Sequence, residues 1–129
     1  MHTDSFDAIG LQRRDMRERE LEAPEGVALG ANLLVRSRTL FKTGDGSTAG
    51  GVWESEPGTA RFEFLEFGEL VYLISGRIVV TSDTGEQTIL TPGTCASFPP
   101  GWTGTWVMEE RSRKFAVSFH GAPVRSHAE

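Results

Sequence analysis

Short runs of alternating apolar and polar residues fill most of the chain after its first quarter. From Leu33 to Phe41 the alternation has an imperfect two-residue period, which is typical of a β-strand with one buried face. A second short strand is predicted around Trp53, over Gly50 to Ser55. A third is predicted over Arg61 to Phe67, where Gly68 is expected to end it. The pattern therefore predicts β-structure.

Glycine-containing turns divide the second half of the chain into further strands. Leu70 to Ile74 and Arg77 to Thr81 flank Ser75-Gly76, where glycine can take the positive φ that a two-residue hairpin requires. A second hairpin is predicted at Asp83 to Glu86. The later predicted strands are Gln87 to Leu90, Cys95 to Phe98, Thr105 to Glu109 and Lys114 to Phe119. Roughly eight to ten short strands predict an all-β protein, a barrel or jelly roll.

The chain is long enough for one folded domain with terminal extensions. Residues 1–26 combine many charges with loosely spaced apolar side chains, which predicts a flexible arm or one short helix. Residues 27–121 are expected to form a single barrel, because 129 residues fit one domain of ordinary size. Residues 122–129 are expected to form a C-terminal tail.

Composition and charge exclude several classes of function. A net charge of -5 without a concentrated basic patch opposes nucleic-acid binding, since phosphates require clustered positive charge. No apolar stretch approaches the roughly 20 residues of a membrane-spanning helix. Cys95 is the only cysteine, so no internal disulfide forms, and we expect a buried, inert thiol. We expect a cytoplasmic protein with neither nucleic acid nor membrane as a partner.

Two spacings of glutamate, glycine and proline carry a family resemblance. Glu69 is followed after six residues by Gly76, and Gly93 is followed after five residues by Pro99-Pro100-Gly101. These spacings resemble the two motifs of cupins, whose metal-binding members also carry histidines. The histidine positions of those motifs fall in this chain on Phe62 and Phe64, or with the shorter gap on Glu63 and Leu65, and on Gly104.

Further short motifs narrow the resemblance. Trp53-Glu54, the segment from Pro99 to Trp106 and Arg113-Lys114 together look like the ureidoglycine aminohydrolase-like cupin family, which also includes cupins related to ethanolamine utilisation. The resemblance implies a double-stranded β-helix, the cupin jelly-roll barrel of two antiparallel sheets, with an internal pocket and frequent pairing into dimers. It also implies, for the namesake enzymes, a manganese site of His, Glu and Gln, of which only Glu69 has a counterpart here.

The residues do not predict a tightly held metal. A divalent ion needs three or four converging nitrogen or oxygen ligands, and His2, His120 and His127 are each expected at the surface. We therefore expect no cofactor. The alternative is a weak site for manganese or another divalent metal, built from Glu63, Glu69 and water.

The predicted pocket surrounds Glu69. If this carboxylate points into the barrel, alternation along the strand places Val71 inside and Leu70 and Tyr72 outside. Glu69 then either serves as an acid or base or forms a structural ion pair with Lys114 or Arg77. The candidate ligand-binding residues are Phe62, Phe64, Glu69, Val71, Trp102 and Trp106.

Two kinds of function from different classes remain open, and a purely structural dimer module with a filled barrel interior is the third alternative. The first is small-molecule binding in the barrel without a tightly held metal. The second is an enzyme, aminohydrolase-like or isomerase-like, that uses Glu69 on a small nitrogenous or carbonyl metabolite. Trp53, Trp102 and Trp106 either pack in the core or form an aromatic wall for a planar or cationic ligand. Apolar residues on both faces of strands between Leu70 and Val80 predict a homodimer.

Overall fold

The computed structural model describes residues 1–121, and these residues form an all-β protein with a single turn of 3-10 helix at Arg13–Asp15. The described part of the chain contains no helix long and apolar enough to cross a membrane. Its strands are β1 (Arg17–Glu20), β2 (Val27–Leu29), β3 (Leu34–Lys42), β4 (Thr48–Ser55), β5 (Gly58–Glu63), β6 (Phe67–Ser75), β7 (Ile78–Ser82), β8 (Gln87–Leu90), β9 (Cys95–Phe98), β10 (Thr103–Met108) and β11 (Ser112–His120). The predicted β-structure is confirmed.

The strands form two antiparallel sheets that face each other. Sheet A has the strand order β1-β3-β4-β11-β6-β9, and sheet B has the order β2-β5-β10-β7-β8. Within residues 1–121, no strand pairing joins one sheet to the other, so the fold consists of two packed layers rather than one continuously bonded barrel. The predicted fold class, a jelly roll of two antiparallel sheets, is confirmed.

The hydrophobic core lies between the sheets and follows the alternation of each strand. Sheet A contributes Val35 and Leu73, and sheet B contributes Ile78 and Trp106, all of which are fully buried. Burying apolar surface of this kind supplies most of the stabilisation of a β-sandwich. On β6 the alternation is as predicted, because Val71 is buried whereas Leu70 and Tyr72 are exposed. On β9 the expected burial of Cys95 is wrong, because its side chain is exposed.

The N-terminal residues lie against the outer face of sheet A. Strand β1 pairs with β3 at the edge of the sheet, and Leu11 and Met16 are buried against Val52. Arg113 holds the same segment by donating hydrogen bonds to backbone carbonyls, including that of Leu11 at 2.9 Å. The segment predicted as an arm or short helix thus contains a strand of the sheet and only one helical turn.

Two predictions about strands are wrong, namely the pairing across Ser75-Gly76 and the end of the strand that begins near Arg61. Gly76 has the positive φ, 94°, that a turn requires, but β6 pairs within sheet A and β7 within sheet B, so this turn crosses between the sheets. The predicted strand from Arg61 to Phe67 ends instead at Glu63, and Gly68 lies inside β6. A Cβ on Gly68 would lie 2.6 Å from the carbonyl oxygen of Phe98, so this glycine permits the close approach of β9.

Candidate functional site

A buried ion pair stands on the inner face of sheet A. Strands β6 and β11 are neighbours, and the Nζ atom of Lys114 contacts Oε1 of Glu69 directly. Only 5% of the Lys114 side chain and 13% of the Glu69 side chain are exposed. Of the two partners considered for Glu69, the structure therefore brings Lys114 to it, whereas Arg77 binds Glu109 with its Nε atom 2.6 Å from Oε1.

Two tryptophan rings flank the Lys114 ammonium group. Its Nζ atom lies 4.7 Å from the ring centroid of Trp53 and 4.5 Å from that of Trp106. Both distances are within the range in which the negative ring face attracts a cation. The cation held by this pair of rings is consequently the protein's own lysine. Trp102 lies apart from Lys114 and packs edge-on against Phe98, with ring centroids 5.0 Å apart.

The register of β4 and β11 explains two of the dipeptides identified in the sequence. Lys114 is paired with Trp53, and Arg113 is paired with Glu54. Because neighbouring side chains on a strand point to opposite faces, the first pair lies inside the fold and the second lies outside. The inner pair makes the cation–π contact, and the outer pair forms a salt bridge of 3.0 Å.

Of the two sets of positions at which the first cupin motif would carry histidine, Phe62 and Phe64 face the interior, whereas Glu63 and Leu65 are exposed. Phe62 and Phe64 are buried, and Phe62 packs against Trp106 at a centroid distance of 4.7 Å. A Cβ on Gly104 would lie within 2.6 Å of both the Thr81 carbonyl oxygen and the Trp102 ring, so backbone and ring together occupy the space of a side chain at this position. Four of the predicted ligand-binding residues, Phe62, Phe64, Val71 and Trp106, are thus buried in the core.

The donor groups do not fit the manganese site that the family resemblance implies. The phenyl rings of Phe62 and Phe64 and the hydrogen of Gly104 offer no ligand atom, and Glu69 is bonded to an ammonium group. Glu63 is exposed and lies 3.4 Å from Arg61, so the structure does not bring it to Glu69. Among residues 1–121, no three His, Cys, Asp or Glu side chains converge as metal ligands.

The three histidines are dispersed. His2 is exposed and lies 3.2 Å from Asp4. His120 ends β11, and its ring lies tilted beside that of Phe67, with ring centroids 5.9 Å apart. His127 lies outside the described residues.

An inner cavity of about 180 Å³ adjoins the ion pair. Its floor is formed by small residues on paired positions of β4 and β11, where Gly51 faces Ala116 and Ala49 faces Ser118. Because these side chains are short, the space above them stays open, whereas the neighbouring row is filled by Trp53 and Lys114. The cavity therefore results from a change in side-chain size along one sheet face.

The remaining walls of the inner cavity combine apolar surface with a few polar groups. Ser37 and Thr39 border it from β3, Glu69 borders it from β6, and the Trp53 ring forms one side. This combination of hydroxyl groups, one carboxylate and one aromatic face is typical of a site for a small polar molecule. Glu69 is the only one of the predicted ligand-binding residues that lines this cavity.

The N-terminal segment adds a second ion pair beside the cavity. Arg19 donates from Nε to Glu25 at 2.9 Å and from Nη1 to the Ser37 hydroxyl at 2.9 Å. Glu25 also accepts a hydrogen bond from the Trp53 indole, with Nε1 3.3 Å from Oε2. The sequence did not identify Arg19 and Glu25 as site residues, because the charged N-terminal segment has no hydrophobic periodicity that would place these side chains beside the cavity.

Comparisons with known proteins identify the family. The family described as EutQ-like cupin domain matches residues 42–116, more than half of the chain. Among curated proteins, no sequence matches significantly. The cupin resemblance and its link to ethanolamine-utilisation proteins are confirmed, whereas the narrower ureidoglycine aminohydrolase-like assignment stays a prediction.

Several solved structures share the fold. A protein of unknown function from Pseudomonas syringae pv. tomato is 22% identical with a TM-score of 0.72, over 87% of this chain but only 46% of its own length. The EutQ protein of Clostridium difficile is 22% identical with a TM-score of 0.59, over 69% of this chain and 64% of its own. A putative ethanolamine utilization protein of Salmonella typhimurium is 18% identical with a TM-score of 0.60, over 81% and 97%.

At these identities the structural likeness shows the fold alone, and the chain spans about half the length of the Pseudomonas protein, 46%. The sequence match covers both cupin motifs, from before Glu69 to beyond Gly101. The chain therefore belongs to the EutQ-like cupin domain family.

Proposed function

We propose that this cupin domain binds a small polar molecule in the inner cavity without a tightly held metal. The observation that carries the proposal is the open space of about 180 Å³ beside Glu69, bounded by hydroxyl groups and the Trp53 ring. Small-molecule sites are commonly concave and contain a few polar groups that orient the ligand. Ser37, Thr39 and Ser118 provide hydroxyl donors and acceptors for this purpose.

The charges around the inner cavity favour a neutral ligand. The Glu69 carboxylate is neutralised by Lys114, and the Glu25 carboxylate is neutralised by Arg19. Arg38 also borders the cavity, but its guanidinium carbon lies over the Phe6 ring, 5.0 Å from the centroid. A charged ligand would have to compete with one of these partly buried pairs, which is costly when a charge is left without its partner. Amides and polyols can bond to the hydroxyl groups and to the free lone pairs of Glu69 while both pairs stay intact.

Ligand-observed NMR on the full chain tests this proposal, with acetamide, glycerol and ethanolamine as probes. We expect saturable binding of a neutral probe, and we expect Ala116→Val to weaken it at least about tenfold by filling the cavity floor. Ala31→Val, the same substitution at an exposed loop position, is the matched control and should leave affinity unchanged. The proposal would be contradicted if no probe bound or if only ethanolamine bound. It would also be contradicted if a neutral probe bound Ala116→Val with unchanged affinity.

The absence of a tightly held metal is a separate part of the proposal. Its support is the set of aromatic rings at the motif positions and the ammonium group bonded to Glu69. Elemental analysis of protein purified without chelators is expected to give far less than one transition-metal ion per chain. A stoichiometric metal would refute this part while leaving ligand binding to be judged by NMR.

An enzymatic use of the same cavity is the second candidate. Glu69 lines the cavity and touches an ammonium group, so a proton acceptor and a proton donor stand together beside the space for a substrate. A small nitrogenous or carbonyl metabolite is the substrate class that this chemistry suits. If a metabolite screen finds turnover, Glu69→Gln should abolish most of it, and unchanged turnover would exclude Glu69 as the acid or base.

We also propose that two copies of the chain pair through the outer face of sheet A. Leu70 and Tyr72 are 48% and 47% exposed there. They border an apolar surface groove of about 430 Å³ together with Cys95, Phe115 and Val117. An antiparallel sheet that is apolar on its outer face is stabilised by a partner, and a twofold dimer brings the same patch of both copies together.

A further inference from the structure

A row of alternating charges crosses the outer face of sheet A. Glu18 on β1, Arg36 on β3, Glu54 on β4 and Arg113 on β11 are consecutive partners in the strand register. Arg36 lies 2.7 Å from both Glu18 and Glu54, and Arg113 lies 3.0 Å from Glu54. The Arg36 side chain is only 2% exposed, so this row is built into the fold.

Two exposed arginines extend the row. Arg13 donates from Nη2 to Glu18 at 2.9 Å, and Arg111 donates from Nε to Glu56 at 3.0 Å. Glu56 also lies 2.8 Å from Arg36. The bonded network thus joins four arginines to three glutamates, which leaves one positive charge in excess within the network.

The four arginines border one cavity of about 270 Å³. Its lining consists of Leu11, Gln12, Arg13, Arg36, Arg111 and Arg113, with Glu54 at the base. We call this space the arginine cavity. Arg13 and Arg111 each hold their glutamate through Nε and Nη2, so the Nη1 group of each is not used by that carboxylate. These two side chains are 62% exposed, so a ligand can approach them while each keeps its glutamate.

We infer that the arginine cavity is a second ligand site, which takes a small monoanion with a carboxylate or phosphoryl group. A guanidinium group presents paired N–H donors in the geometry that such an anion accepts. A single negative charge balances the excess in the network without displacing any of the three glutamates. The Gln12 side chain adds a neutral donor at the rim.

The arginine cavity and the inner cavity lie on opposite faces of the same sheet. Glu54 and Arg113 point outward, whereas their chain neighbours Trp53 and Lys114 point inward. The two sites therefore share strands β4 and β11, but within the described part of the chain no residue lines both of them. Anion binding outside the sheet can consequently be measured independently of ligand binding inside it.

Titration of the full chain with sodium acetate or inorganic phosphate tests the inference, with sodium chloride holding ionic strength constant. We expect saturable NMR shifts of the Gln12 amide and the Arg111 Nε–H group. Arg111→Gln and Arg13→Gln should each weaken binding at least about tenfold, because a charged donor is lost. Both positions are exposed, so these substitutions leave the buried row in place.

Arg77→Gln is the matched control, since Arg77 is also exposed and paired with a glutamate but lies outside the cavity. Its anion affinity should be unchanged, as should that of Ala116→Val. Saturation by acetate alone assigns a carboxylate ligand, and saturation by phosphate alone assigns a phosphoryl ligand. If neither anion saturates, or if Arg77→Gln weakens binding as much as Arg111→Gln does, the inference is wrong.

Discussion

At the scale of single residues, three neighbouring groups stabilise the buried charge of Lys114. Glu69 supplies the opposite charge, and the faces of Trp53 and Trp106 supply two further attractive contacts. A buried charge is expensive to desolvate, and such a pair persists only when its partners compensate for the lost water. Lys114 and Glu69 therefore depend on each other, because either charge would destabilise the fold if it were buried without its partner.

Lys114→Met is expected to lower the free energy of unfolding by roughly 3 kcal/mol, because it keeps the side-chain length but leaves the Glu69 carboxylate unpaired. Urea denaturation measures the change. The double variant Lys114→Met with Glu69→Leu should regain part of the loss, since neither charge is then buried. Arg77→Met breaks the exposed pair with Glu109 and should cost less than about 1 kcal/mol. Equal losses for Lys114→Met and Arg77→Met would contradict the interdependence of Lys114 and Glu69.

The candidate site was only partly predictable from single residues. Spacing identified Glu69, and alternation correctly placed it on the inner face beside Val71. Alternation alone left Lys114 and Arg77 as equal partners, because pairing depends on which strand lies beside β6. The floor of the inner cavity gave no signal at all, since alanine, serine and glycine in a strand look unremarkable until Gly51 and Ala116 face each other.

At the scale of elements, the turn residues predicted the limits of some strands but not the strands with which they pair. Strands β8 and β9 have the predicted limits, Gln87–Leu90 and Cys95–Phe98, because glycine-containing turns flank them. The hairpin at Asp83 to Glu86 also joins paired strands, β7 and β8, as predicted. At Ser75-Gly76 the turn was correct and the pairing was not, because a local pattern does not encode which sheet the next strand enters.

The Glu18 carboxylate helps to hold β1 against β3 through Arg36, so the stability of this attachment should fall at acidic pH. Hydrogen bonds from Arg13 and then Arg36 lower the pKa of Glu18 from its usual value near 4.5 to about 2. A group whose pKa is lowered in the folded state stabilises the fold above its unfolded pKa, and this contribution disappears as pH falls through the folded value. The attachment of β1 should therefore weaken between about pH 4.5 and pH 2.

Glu18→Gln tests this dependence through urea denaturation at several pH values. The variant is expected to be less stable than the natural chain at pH 7, and the difference should shrink toward zero as pH approaches 2. Glu66→Gln, at an exposed position between β5 and β6, is the control and should show little difference at any pH. A Glu18→Gln difference that stays constant from pH 7 to pH 2 would exclude the carboxylate charge as its cause.

At the scale of the whole molecule, sheet A carries both proposed ligand sites, and sheet B completes the hydrophobic core. Sheet A has the Glu69–Lys114 pair and the inner cavity on one face and the arginine cavity on the other. Sheet B supplies the aromatic rings of Phe62 and Trp106 that fill the space between the layers. The outer face of sheet A is also divided, since the N-terminal segment covers one part and leaves the apolar groove near Tyr72 open.

Because the apolar groove is the proposed contact between two copies of the chain, a single substitution within it should change the oligomeric state. Light scattering of the natural chain at micromolar concentration is expected to give twice the chain mass of 14.1 kDa. Tyr72→Lys places a charge at the centre of the proposed contact, where two copies of the new lysine would face each other across the twofold axis, and the dimer should dissociate. Leu65→Lys makes a comparable change at a residue that is 67% exposed and lies outside the groove, so it should leave the dimer intact. A natural chain that is monomeric under these conditions would refute the pairing, and a Tyr72→Lys dimer would show that the copies meet through another face.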